Sequence, residues 1–319
     1  MVLAASVVIC VRDRPDDLKR GFESLKKQTF KNFEVIVVDN GKTSMKDITL
    51  DYGAKYIKSA IPMNACYARN IGWKNSRGNI VAYIDDDGVA EKQWLASLLK
   101  EYKDKSVGAV GGKINLPKET NLLDDEIKNA KGIKRFIANV FKFLIDYRGD
   151  GKVTSSGQVT SLGNIKKTCY VDHIQGCNMS FRRELLEKIG GFDEKLSSGY
   201  PFRDDADAAV RVGKLGYKIV FSKDAAVFHN LGKPSPNPKF SRWSHEIKQL
   251  EHLYFVHKNN LVRGIAGHIK FYIQQVSEVV LYFIVSLVKH DMSIFRGVVA
   301  GKLSYLSWRF LGKNVFRGS

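Results

Sequence analysis

Little in this sequence would staple a small extracellular scaffold together. Four cysteines occur in 319 residues (Cys10, Cys66, Cys169 and Cys177), with no C-x-x-C pair and no metal-finger spacing. Cys10 lies inside an apolar run, so the expectation is buried free thiols in a reducing compartment, not disulfides. No internal repeat or low-complexity tract is present. The start, Met1 to Val11, is apolar but lacks the basic leader and small-residue cleavage site of a signal peptide, and is read as a first strand. Both glycine-rich phosphate cradles are missing: no G-x-G-x-x-G follows that strand and no G-x-x-x-x-G-K-[ST] occurs anywhere. Acidic residues are short as well, 33 Asp plus Glu against 51 Lys plus Arg, a formal charge of +18. That imbalance excludes no fold, but it favours an anionic partner such as nucleic acid, lipid headgroups or a phosphorylated substrate.

What is present describes a globular chain, 44% hydrophobic and 26% charged, long enough for one large domain or two. The first hundred residues alternate strand and helix. Ala4 to Val11 is followed by Pro15, Asp16 and Asp17, suited to a helix first turn, and then by the stripe Leu18, Phe22, Leu25. Strands are predicted over Phe33 to Val38, Lys55 to Ser59 and Val107 to Val110, with helices around Ala65 to Asn75 and Trp94 to Leu99. This βαβα rhythm with short loops predicts an α/β fold with a doubly wound, largely parallel sheet.

The stretch Gly78 to Gly88 stands out within it. The apolar run Asn79 to Ile84 suits a strand buried on both faces, and Asp85, Asp86 and Asp87 then emerge at its carboxyl end, where open α/β sheets place ligands. A hydrated turn is the competing reading, since Asp and Gly are ordinary turn residues. Asp39, closing the second strand, is placed to accept hydrogen bonds from a ribose or base; it too has a turn reading in Asp39-Asn40-Gly41. With Asp13 the strand ends are acidic, and carboxylates repel a pyrophosphate unless a divalent cation bridges them. Magnesium or manganese suits that role.

From Pro117 to Thr168 the rhythm breaks. Ile133 to Leu144 carries a helical apolar stripe among basic residues, fitting either a membrane surface or the body of the protein. Gly149 to Gly163 reads as a loop that could cover a site. Further on, a helix beginning near Asp204 would pair Asp207 with Arg211 at i, i+4, and Asp204 and Asp205 would occupy its first turn. The last strand ends at His229. A proline-rich linker then opens a helical tail. Residues 233–319 hold 13 Lys or Arg and 4 Asp or Glu, 13 − 4 = +9. Phe271 to Lys289 would be about 28 Å long as a helix, but Gln274, Gln275, Ser277 and Glu278 interrupt it. It is read as interfacial, not spanning, with packing onto the body as the alternative. A second stripe runs from Phe295 to Phe310, with Trp308 suited to the headgroup zone.

Taken together, the ordered motifs resemble the family 2 glycosyltransferases of GT-A fold, over roughly residues 4 to 232. Asp39 matches the family's nucleotide-binding aspartate, Arg69 the basic residue upstream of the acidic motif, and Asp85-Asp86-Asp87 the D-x-D signature. Gly176-Cys177-Asn178-Met179-Ser180-Phe181-Arg182 is similar to the acceptor-side G-x-N-x-x-x-R segment, Asp204-Asp205 stands at the Glu-Asp position, and His229 at the terminal metal-binding histidine. The resemblance implies a Rossmann-like mixed sheet flanked by helices with a C-terminal helical tail. The nucleotide-binding half would be 1–116, an insert 117–170, the acceptor and catalytic half 171–232, and the tail 233–319.

It also implies roles. Asp205 is the catalytic base. Arg12, Asp39, Arg69, Asp85 and Asp86 lie on the nucleotide side; Asp87, with Asp85 and His229, holds manganese or magnesium; Gly176, Asn178, Met179, Arg182 and Asp204 face the acceptor. The implied activity is inverting transfer of one sugar, of hexosyltransferase type, from a nucleotide-diphosphate sugar to an acceptor hydroxyl, such as a lipid-linked glycan or polysaccharide precursor. The first loop, Val11-Arg12-Asp13-Arg14, departs from the family's usual residues, leaving uracil and guanine donors both open. The segment Lys239-Phe240-Ser241-Arg242-Trp243 lacks the Gln of processive relatives, which favours single transfer. The basic tail suggests a cytoplasmic protein in peripheral contact with the membrane. A nucleotidyltransferase, or a non-enzymatic module binding membrane or nucleic acid, are the rival readings; the acidic strand ends would repel a nucleic-acid backbone.

Overall fold

The computed structural model describes residues 3–61, 64–116, 132, 150–163, 165–197, 202–229, 242–288 and 290–316. The basic stripe over 133–144 and the proline-rich linker over 232–238 lie outside them. The chain divides into two compact units, residues 1–116 with 162–233, and residues 117–161 with 234–317.

In the first unit nine strands form one sheet: β1 (Ala5–Val11), β2 (Phe33–Asp39), β3 (Lys55–Lys58), β4 (Ile80–Ile84), β5 (Gly88–Ala90), β6 (Val107–Asn115), β7 (Cys169–Val171), β8 (Asn178–Arg182) and β9 (Lys218–His229). Their order is β3-β2-β1-β4-β8-β6-β9-β5, with β7 beside β9. From β3 to β4 every pairing is parallel, and β8 runs antiparallel to both of its neighbours, β4 and β6. All five residues of β4 are buried, as its unbroken apolar run requires of a strand covered on both faces. Gly78 lets β4 begin tight against β1, since a Cβ there would lie 2.3 Å from the Ala5 carbonyl carbon.

Helices α1 (Pro15–Lys26), α2 (Lys46–Asp51), α3 (Ala65–Lys74), α4 (Trp94–Glu101), α5 (Arg183–Lys188) and α6 (Asp204–Lys214) connect and cover the sheet. Pro15 stands at the start of α1 with Asp16 and Asp17 in its first turn, and Leu18, Phe22 and Leu25 form its buried stripe. The Asn64 side chain caps α3 by accepting from the Tyr67 N–H. One central strand has no clear signal in the sequence. β8 reads Asn-Met-Ser-Phe-Arg, and its polar residues hide a strand that is buried along most of its length. It tolerates them because Ser180 Oγ donates to the Val110 carbonyl at 3.0 Å and lies 2.9 Å from Tyr102 Oη, so burial leaves no polar atom unmet.

The second unit contains α7 (Arg242–Lys258), α8 (Gly264–Val288) and α9 (Ser293–Leu311). Gly297 and Gly301 allow α9 to close onto α7, where a Cβ would come within 2.2 Å of the Arg242 carbonyl oxygen and 2.3 Å of that of Glu246. Trp308 packs edge-on against Tyr254 at 5.0 Å and Phe316 at 5.9 Å. It is half-buried and packs within this unit. The segment read as a covering loop forms a short hairpin: Val153 pairs with Val159, Gly157 makes the turn at φ +81°, and Ser156 bridges to Val262. No helix among the described residues is long and apolar enough to cross a membrane.

Candidate active site

Parallel registration brings the carboxyl ends of β1, β2 and β4 into line. Val11 pairs with Asp39, and Val8 with Tyr83, so the loop after β1 meets Asp85 to Asp87 as they leave β4. The Arg12 main-chain N–H donates to Asp86 Oδ2 at 3.1 Å. Arg14 Nη1 reaches Asp86 Oδ1 at 3.2 Å and Asp87 Oδ2 at 2.8 Å. Arg14 lies in a loop whose sequence showed only a departure from the family pattern, and its role as countercharge to two buried acids was not legible there.

The end of β9 meets the same cluster. His229 Nε2 lies 3.1 Å from Asp87 Oδ1 and 3.5 Å from Asp85 Oδ2. Burial acts to lower the pKa of this imidazole, but hydrogen bonds to Asp85 and Asp87 outweigh it and lift the pKa to about 10. Burial pushes the Asp86 carboxyl up to about 7, against the pull of Arg14, and the charges of Asp87 and Asp85 add to the rise. The Asp85 carboxyl instead sits below its usual range. Burial would raise it, but His229, Arg69 and Arg14 together prevail.

These groups suit a divalent cation. Asp85, Cys177 and His229 each offer a ligand atom, all within 4.8 Å of one another. The carboxylate oxygen matches manganese or magnesium; the imidazole is a softer donor, and the sulfur softer still. Cys177 was not foreseen as a neighbour of this cluster. Burial and the charges of Asp85, Asp205 and Asp87 raise its pKa well above the ordinary thiol value, so it stands as a thiol. Asp87 is more deeply enclosed than Asp85, 5% against 39% side-chain exposure.

Arg69, on α3, ties this end of the sheet to α6. Its guanidinium is almost wholly buried, with Nη1 on Asp204 and Nη2 3.9 Å from Asp85 Oδ1. Burial pushes the Asp204 carboxyl up while Arg69 pulls it down, and Asp205 and Asp85 add to the rise. The next residue, Asp205, accepts from the Gly176 N–H at 2.8 Å and from the Ala206 N–H at 2.7 Å, which fixes the plane of its carboxylate. Gly176 sits where a Cβ would come within 3.0 Å of Arg69 Nη2. Behind it, Asp207 pairs with Arg211 at 2.7 Å, the i, i+4 bridge expected from the sequence.

The remaining residues singled out from the sequence take other positions. Asp39 is fully buried, accepting from the Gly41 and Met45 N–H groups, from Tyr56 Oη at 2.9 Å and from Lys58 Nζ at 3.1 Å. It shapes the loop after β2 and stands apart from the Asp85–Asp87 contacts. Asn178 donates to the Lys113 and Ala225 carbonyls and accepts from Trp94 Nε1. Met179 is in the core, and Arg182 donates to the carbonyls of Val107, Tyr102 and Asp104. Of the acceptor-side segment, Gly176 and Cys177 reach the carboxylates, while Asn178, Met179 and Arg182 brace the sheet. A cleft of about 740 Å³, lined by Leu3, Phe33, Glu34 and Arg77 among others, opens at the opposite, amino-terminal ends of the strands.

Comparisons with known proteins agree with this layout. The family model described as Glycosyl transferase family 2 matches residues 6–190. The glucosyl-dolichyl phosphate glucuronosyltransferase of Haloferax volcanii is 24% identical over 243 residues, covering 72% of this chain and 70% of the relative. The probable glycosyltransferase YdaM of Bacillus subtilis is 31% identical over 198 residues, 59% of this chain and 41% of the relative. The match to the uncharacterized protein y4gI of Sinorhizobium fredii spans only 28% of that relative's length. Among solved structures, the mannosyltransferase PcManGT from Pyrobaculum calidifontis, in complex with GDP-Man and Mn2+, superposes with a TM-score of 0.58 at 14% identity, covering 96% of this chain and 87% of that one. At that identity the likeness establishes the fold. A family match over more than half of the chain selects the glycosyltransferase reading over the nucleotidyltransferase and the non-enzymatic module. The chain belongs to glycosyl transferase family 2 and carries a glycosyltransferase domain of GT-A fold.

Proposed function

We propose that residues 1–232 form an inverting glycosyltransferase moving one sugar from a nucleotide-diphosphate sugar to an acceptor hydroxyl. The observation that carries this reading is the Arg69 tie, in which one buried guanidinium faces both Asp85 at the strand end and Asp204 at the start of the helix that bears Asp205. Asp205 is the base: it takes the acceptor hydroxyl proton as that oxygen attacks the anomeric carbon from the face opposite the diphosphate. Asp87, with Asp85 and His229, would hold manganese or magnesium, which supplies positive charge to the departing diphosphate. Arg12 and Asp86 organise the donor side, Arg69 supports it from beneath through Asp85, and Asp39 shapes the nucleotide-side loop. Gly176 orients the base; Asn178, Met179, Arg182 and Asp204 hold the acceptor half from behind.

The finer reading places the acceptor on a lipid carrier and the protein at the cytoplasmic face of a membrane. The dolichyl phosphate in the name of the Haloferax relative and the +9 charge of residues 233–319 support it. The test of the core reading is Asp205→Asn, assayed with a sugar-nucleotide panel in manganese or magnesium. Turnover should fall by about 10²- to 10⁴-fold while metal-dependent nucleotide affinity, measured by calorimetry, is retained. Near-wild-type turnover of the variant removes Asp205 from the mechanism.

A further inference from the structure

Helix α8 is inverted relative to the amphipathic helices of a water-soluble unit. Ile265, Ile269, Tyr272, Val276, Phe283 and Leu287 recur at helical spacing within an arc of about 60°, and all six face solvent. Ile265 is 82% exposed and Val276 64%. The opposite side carries Gln274 and Glu278, both buried, and Lys302 of α9 binds Glu278 Oε2 at 3.1 Å and also reaches Gln275. Surface helices ordinarily turn such polar groups outward and the apolar stripe inward. Here two of the polar residues that interrupt the apolar segment in sequence, Gln275 and Glu278, hold α9 through Lys302. The face they leave behind is almost purely apolar.

Three observations say what covers it. The exposed apolar residues are not confined to α8: α9 adds Leu303, Leu306 and Phe310, so apolar side chains face solvent on both helices. From Ile265 to Leu287 it runs about 33 Å, yet the helix is not apolar enough to cross a bilayer, so it fits a helix lying flat in the headgroup boundary. Exposed Arg263, Arg296, Arg309 and Lys313 accompany it, within a segment of net charge +9. A second copy of the chain would bring +9 against +9, whereas a layer of anionic headgroups complements that charge.

We propose that the outward face of α8 and α9 docks on a bilayer surface containing anionic lipid, with α8 lying in the interfacial plane. This deepens the membrane-face part of the proposed function and depends on no step of the transfer chemistry. The test uses the full chain in flotation with phosphatidylcholine vesicles, with and without phosphatidylglycerol. Its comparison is the double variant Ile269→Glu with Val276→Glu, two side chains already facing water. Wild type should float with phosphatidylglycerol vesicles, less so as salt is raised. Partitioning should fall by about ten-fold or more both for the double variant and on phosphatidylcholine alone. Helical content and unfolding midpoint of the variant should match wild type. Equal flotation of the two proteins overturns the proposal, as does failure of wild type to float. A dimer that the double variant dissolves, without vesicle binding, assigns the face to a second copy. Flotation of a wild type that transfers no sugar leaves this proposal standing and counts against the proposed function instead.

Discussion

Arg69 is where the two sides of the site meet in a single side chain. Its planar fork holds Asp204 with one nitrogen and approaches Asp85 with the other, and it is buried enough that water cannot substitute. A lysine at this position is a point charge on a flexible stem and cannot face two carboxylates at once. Arg69→Lys should therefore reduce turnover by roughly 10- to 100-fold, since small misplacements of a reacting group cost about that much. Calorimetric donor affinity should stay within a few-fold of wild type. The reverse pattern, lost affinity with turnover intact, would mean that Arg69 touches the donor itself. At this scale the sequence was informative where chemistry is local. Asp85 and Asp87 at the end of β4 meet His229 at the end of β9 as their motifs imply, whereas Asp39 at the end of β2 stands apart. It was uninformative about direction, because an Asn beside a site and an Asn inside a core are spelled the same way. Asn178 points into the core, and Arg14, which no motif marked, points at the acids.

Among the elements, β8 is the antiparallel strand at the centre of the sheet, and the one with least periodic signal. Its Asn178 side chain fastens three neighbours at once: Trp94 of α4, the Lys113 carbonyl of β6 and the Ala225 carbonyl of β9. Asn178→Leu leaves those groups buried without partners, and each such group costs about 1–3 kcal/mol. Denaturant unfolding should show a loss of roughly 2–4 kcal/mol, with transfer per folded molecule little changed. A shift in acceptor KM at unchanged stability would instead return Asn178 to the acceptor side. The parallel half of the sheet was legible because buried strands must be apolar throughout. The antiparallel insertion was hidden because long-range hydrogen bonds, absent from any local window, license its polar residues. The tail helices show the same asymmetry. Their stripes were legible in sequence, but which face turns inward depends on Lys302, 24 residues beyond the Glu278 it binds.

For the molecule as a whole, the two compact units interleave along the chain: residues 117–161 belong with 234–317, not with the segments that flank them. Composition places a boundary near residue 232 but cannot reveal that an earlier stretch crosses it. The described part of that stretch depends on the tail helices. Ser156 bridges to Val262, the Arg263 N–H donates to the Ser155 carbonyl, and Gly157 fits against Val256. A fragment ending at residue 232 should therefore be cleaved between 150 and 161 much faster than the full chain under limited proteolysis; equal protection of the two would show that these contacts are dispensable. Within the first unit, one feature of the sheet bears on motion. Ile84, the last residue before the acidic triplet, pairs directly with Asn178, two residues after the glycine that orients Asp205. In the proposed function, the strand end that carries the metal-side acids and the one that leads back to Gly176 and Asp205 therefore lie on neighbouring strands, separated there by about the 4.8 Å interstrand spacing. Under the proposed function, moving one of these strand ends past the other would require breaking the backbone pairing between them.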